Sequence, residues 1–84
     1  MTKLEEKLIE LGYVKERICE YTKDFIKGQF YLMITINPYT RNKIVDNYVF
    51  QYSFTRTQQD IDNLQQAFNQ LQNDLKELKE YEEI

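Results

Sequence analysis

Hydrophobic and polar positions along this chain change their period twice. Between Lys3 and Leu11 the apolar residues Leu4, Leu8 and Leu11 recur at helical spacing, with Ile9 at the edge of their face. From about residue 17 to residue 55 the recurrence shortens to two. Phe30, Leu32, Ile34 and Ile36 alternate with their neighbours, and so do Tyr48, Phe50, Tyr52 and Phe54. From Asp60 to Leu78 helical spacing returns, with Ile61, Leu64, Phe68, Leu71, Leu75 and Leu78 separated by threes and fours. The first spacing marks a helix with one apolar face, the second a strand with one buried side. The chain therefore predicts an α+β fold in the order αβββα, one domain over residues 1–84. The expected elements are a helix at 3–11, strands at about 17–26, 29–37 and 44–55, and a helix at 57–80. The three strands form an antiparallel meander, with the short first helix and the long last one on its aromatic face.

Local signals agree with these boundaries. Thr2-x-x-Glu5 has the form of a capping box, and Thr57-x-x-Asp60 repeats it with Asp in place of Glu. Gly12 stands where a left-handed residue ends a helix, with Tyr13 able to fold back onto Leu8. Lys27-Gly28 is a candidate two-residue hairpin turn. If it is one, Phe25 faces Phe30, Tyr21 faces Ile34 and Cys19 faces Ile36, all on one side of the sheet. Lys23 is the misfit in that register, opposite Leu32.

The stripe from Ile61 to Leu78 has three readings. It is a core face laid over the aromatic side of the sheet, a coiled-coil seam, or the recognition helix of a nucleic-acid binder. An open aromatic face needs a cover, and Ala67 widens the stripe as a sheet-packing helix requires. As a seam it covers under three heptads, and Phe68 sits awkwardly at an a position. The order αβββα is also that of the double-stranded RNA-binding domain, which sets lysines at the start of its second helix. Here that place reads TQQDIDNLQQ, with two Asp and no Lys. The core face is the preferred reading. Phe30, Leu32, Ile34, Phe50, Tyr52, Leu64, Phe68 and Leu71 are expected to share it.

Composition narrows the function classes. Fourteen acidic residues against eleven basic give a net charge of −3, and no two basic residues are adjacent. A nucleic-acid binder needs a clustered basic surface to displace counterions, so direct nucleic-acid binding is not expected. No stretch approaches a membrane span of about 20 apolar residues, and MTKLEEKLIE lacks the apolar centre of a secretory signal. One cysteine cannot form an internal disulfide, which fits a reducing compartment, so a cytoplasmic location is expected.

Histidine is absent, which removes the commonest general base near neutral pH. No glycine-rich phosphate loop is present, and Cys19 is expected to lie inward as a structural thiol. Catalysis, cofactors and metals are therefore not expected. Two surfaces remain. The outer sheet face, centred on Tyr31, Met33, Val45 and Val49, has the composition of an interface. The far end of the last helix offers Leu75 and Leu78, expected by length alone to outrun the sheet, and the acidic group Glu80, Glu82 and Glu83. Either overhang or sheet face would suit a homodimer.

LEEKLIELGY together with TQQDIDNLQQAFNQLQNDLKEL resembles small uncharacterised proteins of staphylococcal and related Gram-positive phages and prophages. The resemblance touches the two helices and implies a setting in a bacterial host cell. It points to a non-catalytic accessory protein that binds and modulates a host or competitor protein. The alternatives are an acidic inhibitor, of the anti-CRISPR or DNA-mimic type, and a structural homodimer without a separate target.

Overall fold

The computed structural model describes residues 1–53 and 56–82, with backbone alone at 46–47. Helix α1 spans Lys3–Glu10 and opens with the expected capping box: the Glu5 N–H donates to the Thr2 hydroxyl and the Glu5 carboxylate accepts from the Thr2 N–H. It closes at Gly12, whose φ of 97° only glycine adopts without strain. The Tyr13 N–H reaches back to the Leu8 carbonyl at 2.9 Å and the Gly12 N–H to that of Ile9 at 3.0 Å. These are the paired bonds of a Schellman ending. They turn the chain so that Tyr13 is buried in the core with Leu8.

Four antiparallel strands follow in sequence order: β1 Val14–Arg17, β2 Glu20–Phe25, β3 Phe30–Ile36 and β4 Ile44–Tyr52. The meander is as the periodicity implies, with one correction. The first strand expected at 17–26 is β2, and a further strand, β1, precedes it and folds back on it at Ile18-Cys19. All four residues of β1 are exposed, so no alternation announces it. Its place comes from hydrogen bonding to the free edge of β2. Between β2 and β3 the inferred register is found, with Phe25 opposite Phe30 and Tyr21 opposite Ile34. The Gln29 N–H donates to the Ile26 carbonyl across Lys27 (φ 54°) and Gly28 (φ 87°), the positive-φ pair a tight hairpin needs. Ile26 also has positive φ, at 52°, so the ladder stops at Phe25.

Helix α2, Gln58–Lys79, starts at the second capping box, Thr57 with Asp60. At 1.5 Å per residue it is roughly 33 Å long. It crosses the inner face of the sheet, and α1 packs beside its far end. Leu4 and Leu8 from α1, Ala67, Leu71 and Leu78 from α2, and Tyr21, Phe25, Phe30, Leu32, Ile34 and Ile36 from the sheet make one core. Two corrections follow. Leu78 is fully buried, because α1 covers the end of α2 that length alone would leave overhanging. Phe68 and Tyr52 are not core: Phe68 is 47% exposed and Tyr52 55%. The helix turns Leu64, Ala67, Leu71, Asp74 and Leu78 to the sheet and leaves Ile61 and Phe68 on its flank.

Candidate interaction surfaces

An ion pair lies where the apolar pattern alone predicts core. Lys23, the misfit of β2, extends under α2 and places its Nζ 2.7 Å from Asp74 Oδ2. The Tyr13 hydroxyl donates to the same oxygen at 3.1 Å. The Lys23 ammonium also stands over the rings of Tyr13 and Phe25, at 5.2 and 5.0 Å from their centroids. Burial, then the Asp74 charge and the hydrogen bond to it, push the Tyr13 hydroxyl far above its usual range. Two donors held on one acceptor fix a proton rather than move it. A second polar contact joins α1 to the sheet: the Tyr21 hydroxyl donates to Glu5 Oε2 at 3.0 Å. Burial first and that bond second push Tyr21 up to about 12. Burial also raises the Glu5 carboxyl, but the bonds it accepts from the Thr2 N–H and Tyr21 outweigh this and hold it below its usual value. Both contacts fasten a helix to the sheet. Among the described residues no group of three or more His, Cys, Asp or Glu is placed to hold a metal ion.

Among the described residues no helix lies over the outer sheet face. Val14, Thr22, Met33 and Val49 stand opposite one another across the four strands, with Asp24, Tyr31 and Gln51 in the next row. Tyr31, Met33, Val45 and Val49 are half-buried by their neighbours alone, and Val14 is exposed. At the β1 end a shallow depression of about 380 Å³ is lined by Gly12, Val14, Glu16, Thr22, Lys23, Asp24 and Tyr31. Strand parity brings Tyr31, Met33 and Val49 to one face, while Val45 lies within the break in register between β3 and β4.

The far end of α2 is a different matter. Leu75 is half-buried against the core and Leu78 wholly inside it. Glu80 is exposed, but Glu82 accepts the Ile44 N–H at 2.7 Å and so ties the chain end to the start of β4. Glu83 lies outside the described residues. Of the two described acidic residues, Glu80 alone is free of the sheet.

A third surface was not anticipated. Phe50 packs on Phe30 with nearly parallel rings, Tyr52 leans on both, and Phe68 meets Phe50 at 6.1 Å between centroids. With Ile61, 53% exposed, Phe68 and Tyr52 form an apolar lip between α2 and β4. Its signal lay in the width of the apolar stripe, which exceeds what one sheet contact can cover.

No family model, curated protein or solved structure matches the chain. No helix among the described residues is long and apolar enough to cross a membrane.

Proposed function

We propose that the chain is a protein-binding accessory module, of the kind phages direct at a host or competitor protein, and that it binds through the outer face of its sheet. The observation that carries this is the one-sided packing. Both helices lie on the inner face, while Tyr31, Met33 and Val49 stand together on the other, with Val14 in the row of Met33 and Val45 half-buried farther along β4. An aromatic, a methionine and branched aliphatics grouped on a flat surface match the composition of an interface core. The same face bears Asp24, Glu16 and Glu20 toward β1, a polar rim. The acidic-inhibitor alternative has less behind it, since Glu82 is engaged with the backbone of β4.

The test is capture from bacterial lysate with the parent and with Met33→Glu and Glu80→Lys, each checked for an unchanged melting curve. A partner retained by the parent and Glu80→Lys but lost by Met33→Glu supports the sheet face. It should also survive high salt, which screens charge contacts and spares apolar ones. A partner held equally by all three proteins, or released by salt alone, defeats the reading.

A further inference from the structure

Among the described residues the sheet ends in two edge strands, β1 and β4, and they are built differently. β1 is four residues long, carries Lys15, Glu16 and Arg17, and is kinked where Glu16 stands as an extra residue against β2. Short length, charge and a bulge are the features that stop an edge strand from accepting another strand. β4 is nine residues long, and its break in register and its one charged residue, Asp46, both come before Tyr48. From Tyr48 to Tyr52 it has no charge, no proline and no break in its register with β3.

Alternation decides which backbone groups face outward on β4. The Ser53 N–H donates to the Gln29 carbonyl at 3.0 Å, so Gln51 and Val49, in the same phase, also turn their N–H and C=O toward β3. The Ile36 N–H donates to the Cys19 carbonyl at 2.9 Å, which sets the complementary phase of β3 toward β2. Phe50 and Tyr52 therefore direct their backbone N–H and C=O to the open edge. Their rings lie on the inner face, beside the lip formed by Ile61 and Phe68.

We propose that this edge pairs with a second copy of the chain, two β4 strands running antiparallel about a two-fold axis at Phe50. In that register Phe50 faces its own counterpart, Tyr52 faces the second copy's Tyr48, and Val49 faces its Gln51. The segment Tyr48-Val49-Phe50-Gln51-Tyr52 presents aromatic residues to the inner face in either direction. It therefore meets itself with aromatic opposite aromatic, a favourable cross-strand pairing. No charge on it repels its twin. The α2 flanks of both copies come to the junction, where each covers the other's exposed Ile61 and Phe68. A foreign strand would satisfy the backbone but would leave that lip in water. The joined sheet leaves the outer face open, so this inference stands apart from the proposed partner surface.

The experiment has two arms. Sedimentation of the purified protein at tens of micromolar should give a dimer, with Tyr52→Lys and Phe68→Lys, both at exposed positions, shifted to monomer at an unchanged circular dichroism spectrum. A monomeric parent overturns the proposal, as does a dimer that both variants leave intact. The second arm reads register. Val49→Cys mixed with Gln51→Cys should form a disulfide-linked pair on oxidation, because opposed residues of this phase have Cα atoms about 4.5 Å apart. Either variant alone should link far more slowly, since positions two residues out of register stand roughly 7–8 Å apart, near or beyond the reach of a disulfide. The parent, whose one thiol at Cys19 is buried, is the blank. Equal linking in the mixture and in the single variants overturns the register and the two-fold axis at Phe50.

Discussion

Replacing Asp74 with leucine tests the interior ion pair most directly. By apolar burial alone, Asp74→Leu should stabilise the protein, since it completes the apolar face that α2 turns to the sheet. The geometry says otherwise. Lys23 is 22% exposed and Asp74 12%, and their charged atoms are 2.7 Å apart. With leucine at 74 the Lys23 ammonium keeps its cover of aromatic rings and loses its counter-charge, and the Tyr13 hydroxyl loses its acceptor. Stranding a fully buried charge costs about 3–5 kcal/mol. Lys23 can relieve part of that by extending toward water along its stem, so the expected loss is about 2–4 kcal/mol. For a domain this size that lowers the melting temperature by roughly 10–25 °C. The assay is urea unfolding of the parent, Lys23→Met, Asp74→Leu and the double variant, closed as a thermodynamic cycle. The double variant should recover the part of the loss that comes from the stranded charge but stay about 1–3 kcal/mol below the parent, because the buried Tyr13 hydroxyl still lacks its acceptor. A coupling energy near zero, or an Asp74→Leu protein as stable as the parent, refutes the account.

Three further outcomes are expected. Phe68→Ala should cost about 1.5–2.5 kcal/mol, half the usual toll of a buried phenylalanine, while Leu71→Ala should cost about 2–5 kcal/mol; urea midpoints at one protein concentration will rank them. The depressed Glu5 carboxyl contributes stability that is complete above its unfolded value of 4.5 and is lost as pH falls through the lower folded value. The raised Tyr21 hydroxyl contributes stability that is complete below 10 and is lost as pH rises toward about 12; Glu5→Gln should flatten the acid limb of a stability–pH curve and leave most of the alkaline one. Finally, fluorescence anisotropy should show no binding to duplex DNA or RNA at physiological salt, and salt-sensitive micromolar affinity would contradict the charge argument.

Much of this fold was legible in the sequence because its determinants act over a few residues. A capping box closes within one turn, so Thr2 with Glu5 and Thr57 with Asp60 announce both helix starts wherever the helices later pack. The Schellman ending at Gly12 and the turn at Lys27-Gly28 are likewise set by which residues tolerate positive φ. From that turn the register of β2 on β3 follows by counting, and with it the shared face of Thr22, Tyr31 and Met33. Parity is a local property, so a surface defined by parity can be read without coordinates.

Only the tertiary structure decided the rest. β1 buries none of its four residues, so its sequence carries no hydrophobic pattern, and the unpaired edge of β2 determines its place. The rotation of α2 about its own axis is undetermined by a stripe wider than one contact. It depends on which side of the sheet α1 already occupies and on the meeting of Lys23 with Asp74, 51 residues apart. That rotation buries Leu78, takes an aspartate into the interior and leaves Phe68 half in water beside the β4 edge. The apolar pattern states how much surface must be covered, but which residues cover it depends on groups brought together from distant parts of the chain.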